Sequence, residues 1–213
     1  MFSAHPRPSL TSLLREKPYQ DANPSEARFL FIGLDANYDA EVERKPIFTK
    51  LQEYHEDGVA FWRKHQVHHP FRLPQYTGDG RFYHRSFARI GFKPEHAAQV
   101  SFIELLHLPT VGQSKLVPAD LNSQHLRMLN EVVLAGAARH IFVPQAVQRL
   151  MQATGQFAWL PKRPIEQLGP LGVLYRQGKK AVYRHLHFSV YGQFEARKVN
   201  EAAAIQSFIN AGG

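Results

Sequence analysis

Cysteine is absent from this chain, which rules out disulfides, thiol nucleophiles, thiolate zinc sites and cysteine-held iron–sulfur clusters. Any metal chemistry would fall to histidine and carboxylate. No apolar run reaches the roughly 18 residues of a membrane span, so no membrane association is expected. Residues Met1 to Pro8 have neither the apolar centre of a signal peptide nor a processing site, and a cytoplasmic location is the expectation. Internal repeats and low-complexity tracts are missing too. Acidic residues are the minority: 26 Lys and Arg against 18 Asp and Glu leave a formal charge of +8, and twelve histidines add to it below neutrality. A polyanionic partner, nucleic acid first, is favoured over a merely basic surface.

What is present fits a single domain, since 213 residues with 44% hydrophobic content suffice for one full core; the oligomeric state is not legible, with a monomer favoured. Residues 1–27 carry four prolines and little periodicity, and read as an irregular N-terminal arm with one short helix around Ser9 to Glu16. The domain proper is expected over 28–213. It opens on Phe29-Leu30-Phe31-Ile32, four apolar residues without alternation, the pattern of a strand buried on both faces. The strand runs into Gly33, Leu34, Asp35, Ala36 and Asn37. Gly33 permits a close approach there, and Asp35 and Asn37 either enter a crevice or merely shape a turn.

Further along, spacing predicts a helix over Glu53 to Gln66, a loop over Leu73 to Gly80, and a helix over Arg81 to Ile90 closed by Gly91. Val100 to Leu108 reads as a second core strand, Pro118 to Ala137 as an amphipathic helix, His140 to Val143 as a strand and Gln145 to Ala153 as a helix. Leu171 to Tyr175 and Ala181 to His187 form a hairpin, and Phe194 to Ala211 a last helix. Strands alternating with helices predict an α/β fold: a three-layer α/β/α sandwich around a central, mainly parallel four-stranded sheet.

Three strand ends then carry polar groups on one rim: Asp35 and Asn37, Glu104 and His107, and His187 and Ser189. A carboxylate facing a histidine across such a rim can polarise a water and stabilise a developing anion, as N-glycosidic hydrolysis requires. The chain resembles the uracil-DNA glycosylase superfamily, most closely its mismatch-specific and thymine-DNA branches. Four segments carry the resemblance in the family's order: Phe31 to Asn37, Gly80 to Phe92, Ile103 to Val111, and His187-Phe188-Ser189. Ala36 and Phe188 stand where proline is usual, and the second glycine of many first motifs is missing.

The resemblance implies excision of uracil or a related damaged or mismatched base from DNA, without metal or other cofactor. It assigns Asp35 to the attacking water and His187 to the departing base, with Gly33, Leu34, Asn37 and Ser189 around them. Phe71 and Tyr76 are candidates to stack on an extruded base, or are loop aromatics against the core. Glu104 falls near the place where some relatives keep a base-reading asparagine. Tyr191 or Phe194 sits where relatives carry a wedge, and Lys179, Lys180, Arg184, Arg197 and Lys198 are candidates for phosphate contacts around the last strand.

Two other readings fit less of the chain. His65 and His69 would share a metal-binding face only if their helix ran through Pro70. His84-Arg85-Ser86 and His187-Phe188-Ser189 both match the short His-x-Ser pattern of a phosphoesterase, which needs facing strands, whereas the first lies in a helical stretch. From a different class comes a non-catalytic binder of nucleic acid or a small molecule that keeps the fold after losing the chemistry.

Overall fold

The computed structural model describes residues 2–112 and 115–211. In chain order its strands are β1 (Ser3–Ala4), β2 (Tyr19–Asp21), β3 (Phe29–Gly33), β4 (Val100–Glu104), β5 (Thr110–Val111), β6 (His140–Pro144), β7 (Glu166–Leu168), β8 (Leu171–Gln177) and β9 (Lys180–His185). Its helices are α1 (Pro8–Glu16), α2 (Phe48–Glu56), α3 (Gly58–His65), α4 (Arg81–Ala88), α5 (Ser123–Ala135), α6 (Gln145–Ala153) and α7 (Glu195–Asn210). Four neighbouring strands, in the order β4-β3-β6-β9, run parallel. Antiparallel β2 extends one edge, and β8 and β7 extend the other.

The sheet therefore has seven strands in place of the expected four. Edge strands β2 and β7 are three residues each, too short to show alternation in the sequence. A separate two-stranded pairing joins β1 to β5. The N-terminal residues are correspondingly not an irregular arm: α1 forms where a helix was expected, and β2 belongs to the main sheet. No helix among the described residues is long and apolar enough to cross a membrane.

The unbroken apolar run of β3 serves both faces of the sheet. Phe29 and Phe31 join Trp62 of α3, Phe87 of α4, and Ala202 and Ile205 of α7 in one core. Leu30 and Ile32 join Leu126, Leu129 and Val133 of α5 with Val147 and Met151 of α6 in the other. Each fully buried side chain of this kind contributes about 1.5–3 kcal/mol of transfer free energy, so β3 holds the two faces together.

A third apolar cluster explains the long polar and aromatic segment after β3. Leu10 and Leu14 of α1 pack with Tyr38, Leu51, Tyr54, Phe61 and Phe71, which seats residues 42–76 over one side of the strand ends. Here the expected helix over Glu53 to Gln66 is two helices. Asp57 breaks it by capping α3, its side chain accepting the Ala60 N–H at 2.9 Å. The break lets Gly58 meet the backbone of Asp21, where a Cβ would lie 2.8 Å from the Asp21 Cα.

Asp21 itself has φ +63° and is buried, and Tyr54 donates a hydrogen bond to its Oδ2 at 2.9 Å. Burial pushes this carboxyl up to about 8. The folded state thus keeps a proton that the unfolded chain releases near pH 4, and stability declines as pH rises from there to about 8. Asp21→Asn retains the acceptor for Tyr54 and suits the left-handed backbone. It is expected to stabilise the fold by about 2–5 kcal/mol at pH 8.5 and to have little effect at pH 4. Thermal melts of both proteins at the two pH values check this; an equal shift at both would contradict it.

Candidate active site

The carboxyl ends of the four parallel strands open on one rim, where α/β sheets place ligands. A cleft of about 950 Å³ lies there. Asp35 and His187, far apart in sequence, both line it, as do Gly33, Leu34, Asn37, Glu104 and Ser189. Phe71 and Tyr76 form part of its wall from the segment packed over the rim.

Asp35 is held by the exit of the neighbouring strand. The Thr110 hydroxyl donates to its Oδ2, and Thr110 is fixed in turn by its backbone N–H to the Ala36 carbonyl at 2.9 Å. Asn37 completes the brace, its Nδ2 donating to Thr110 Oγ1 at 2.9 Å and to the Gly112 carbonyl at 2.6 Å. Both amide hydrogens of Asn37 are thereby committed. Its place in the cleft is that of a strut for Asp35, with Oδ1 the atom left for a ligand.

Glu104 forms the floor. It is the register partner of Gly33 across the parallel pair, and its carboxyl fills the space a side chain there would take, since a Cβ on Gly33 would lie 1.9 Å from Glu104 Oε2. Burial, and then the charge of Asp35, push Glu104 up to about 8. At neutral pH it is a neutral acid, offering one O–H donor and one carbonyl acceptor. Among the described residues its carboxyl has no hydrogen-bond or ion-pair partner. Tyr38 and Tyr83 border the same cleft, and burial together with Glu104 keeps both phenols protonated.

His187 lines the same cleft. The Ser189 N–H donates to its Nδ1 at 3.2 Å, so the neutral ring carries its proton on Nε2. Burial lowers the pKa of this imidazole, and the Asp35 charge opposes the shift. Tyr83 packs on its ring with centroids 5.5 Å apart, while Phe188 anchors the loop in the core around Phe31.

The aromatic wall is layered. Phe71 and Tyr76 stack at 4.0 Å with planes 7° apart, against backbone at Gly78 and Gly80 that leaves no room for a Cβ. Phe71 is the buried inner ring, 6% exposed, and half-buried Tyr76 is the outer one. Behind them the rings of His69 and His84 stack at 3.6 Å, and His68 Nε2 lies 3.1 Å from His84 Nδ1. Burial lowers all three, His84 to about 3, so this cluster is neutral. His65 is not on a common helical face with His69: α3 ends at His65, which bonds Glu53 at 2.9 Å, and Gln66 is left-handed. Among the described residues no group of three or more His, Asp or Glu is arranged to hold a metal ion.

The expected phosphate contacts divide by strand direction. Lys179 and Lys180 lie at the start of β9, at the opposite end of the sheet from the cleft, so the expectation that they grip phosphates around this rim is corrected. Lys180 Nζ instead donates to the carbonyls of Val133, Leu134 and Gly136, each at 2.8 Å, and closes the end of α5. Lys198 is likewise corrected. It is buried, pairs with Glu195 at 2.7 Å and reaches Ser86 Oγ at 3.3 Å. Arg197 pairs with Glu201 at 2.9 Å, and half-buried Arg184 lies near that same carboxylate. Tyr191, two residues past the cleft-lining Ser189, is 82% exposed.

Thr110, Tyr38 and Tyr83 are site residues that the sequence reading did not single out. Neither the protein-family models nor the curated proteins compared with this chain match it.

Proposed function

We propose that this protein hydrolyses the N-glycosidic bond of uracil, or of a related damaged or mismatched base, in DNA. The observation that carries the reading is the meeting of Asp35 and His187 in one cleft at the carboxyl rim, with a neutral Glu104 as its floor. We read the two helical layers on the sheet as the three-layer sandwich of the uracil-DNA glycosylase superfamily, enlarged at both edges.

In this reading the braced Asp35 carboxylate orients the attacking water and offsets the positive charge that grows on the sugar. The base leaves as an anion, met by the Nε2–H of a neutral His187. A neutral donor there favours the anion without first demanding a proton from solvent. Glu104 supplies a donor and an acceptor side by side, the complement of a base edge with one acceptor and one N–H. Tyr76 offers its outer face to the extruded base, with Phe71 behind it as support. No step calls for a metal or an organic cofactor.

A binder that has lost the chemistry is the second reading, favoured by Ala36 and Phe188 in place of the family's prolines. The phosphoesterase reading lacks its geometry, because His84 sits on α4, neutral and stacked on His69. Duplex and single-stranded oligonucleotides carrying uracil, hypoxanthine or mismatched thymine, treated with alkali after incubation, separate the cases. Strand cleavage at one of these bases supports excision; bound but uncleaved DNA in every case replaces it with the binding reading.

A further inference from the structure

We propose that Arg72, Arg81 and Arg85, together with the ring of Phe82, form a clamp for the phosphodiester backbone of single-stranded nucleic acid beside the cleft. The clamp rests on the reading of the protein as one that acts on DNA, and it names where the strand flanking the extruded nucleotide runs.

Helix α4 has two functional faces. Tyr83 and His84 line the cleft, as does Gly80 just before the helix. Arg81 and Arg85, four residues apart, share one face of it. Arg72 ends the short turn Pro70–Arg72, whose Phe71 belongs to the cleft wall; burial, and then the charges of Arg81 and Arg85 near it, lower its pKa. Three like charges are gathered here, and among the described residues none of the three makes an ion pair or donates a side-chain hydrogen bond.

Five other arginines of the chain are paired. Arg7, Arg44, Arg89, Arg176 and Arg197 each face a carboxylate within 4 Å. An uncompensated arginine group is the pattern expected where the missing anion belongs to a ligand, and the planar guanidinium fork matches phosphate oxygens two at a time. Phe82 fixes the ligand class. It is 58% exposed, and the Arg85 guanidinium lies 4.9 Å from its ring centre. Stacking surface and phosphate donors side by side suit a single strand, whose bases have free faces.

The test is the salt dependence of binding, read by fluorescence anisotropy with a labelled 15-mer oligodeoxynucleotide containing one uracil. Arg81→Gln/Arg85→Gln is expected to weaken binding about 10–100-fold near 0.1 M salt and to lower the slope of log K against log salt by about 1–2. Phe82→Ala weakens binding with the slope unchanged. Lys179→Gln, at the far end of the sheet, changes neither. Single-turnover excision by Lys179→Gln stays at the wild-type rate. A double variant with wild-type slope and affinity overturns the clamp, as does a Lys179→Gln effect equal to it or a wild type that binds no oligonucleotide. Binding that follows the expected pattern without any base release sinks the excision reading and leaves the clamp standing.

Discussion

Asp35→Asn is expected to slow base release by about 10²–10⁴-fold in single-turnover excision while leaving DNA affinity within about twofold. The replacement is nearly isosteric and retains an oxygen for the Thr110 hydroxyl, so the brace of Thr110 and Asn37 survives. What is lost is the negative charge that orients water and faces the developing positive sugar. The change also carries a signature that simple misfolding would not. Asp35 raises the pKa of both Glu104 and His187, so the variant's Glu104 titrates at lower pH than in the wild type. Equal excision by wild type and variant would remove Asp35 from the chemistry.

The second large effect concerns pH. Glu104 is neutral below about 8 and ionised above it. Ionisation removes the O–H donor and sets a second negative charge next to Asp35, where the leaving base must also become negative. Wild-type excision is therefore expected to fall about tenfold per pH unit above pH 8. Glu104→Gln keeps one donor and one acceptor but cannot ionise, so its profile should stay flat from pH 6.5 to 9.5. The same substitution should stabilise the fold at alkaline pH. The raised pKa means that the native protein holds a proton the unfolded chain has lost, and stability drops as pH rises toward 8. A wild-type profile flat through pH 8, or an alkaline fall that persists in Glu104→Gln, would contradict this role.

Much of the scaffold was legible because its signals are local. Phe29 to Ile32 announced a strand buried on both faces, α6 lies where Gln145 to Ala153 has helical spacing, and Gly91 takes φ +90° past the end of α4. The break between α2 and α3 was hidden because Tyr54, Val59 and Trp62 keep helical spacing across it, while the cap on Asp57 depends on one side-chain rotation. Strands β2 and β7 were invisible at three residues apiece. In the site, strand ends pointed to six polar residues, and the motif resemblance singled out Asp35 and His187 among them. Thr110 could not be named, since its bond to Asp35 joins residues 75 apart. Lys180 was misplaced for a simpler reason. It begins the strand that His185 ends, and about 3.3 Å of rise per residue puts it at the far rim.

The most direct test of the account is the mass of the DNA after incubation. A uracil-containing single-stranded oligonucleotide, treated with the protein in ¹⁸O-labelled water and analysed intact by mass spectrometry, reports both the bond broken and the group that replaces it. The wild type is expected to give an abasic product carrying one labelled oxygen with free uracil in equal amount, and Asp35→Asn far less of both in the same time. An oligonucleotide of unchanged mass after prolonged incubation with the wild type, or the same product from Asp35→Asn at the wild-type rate, would contradict it.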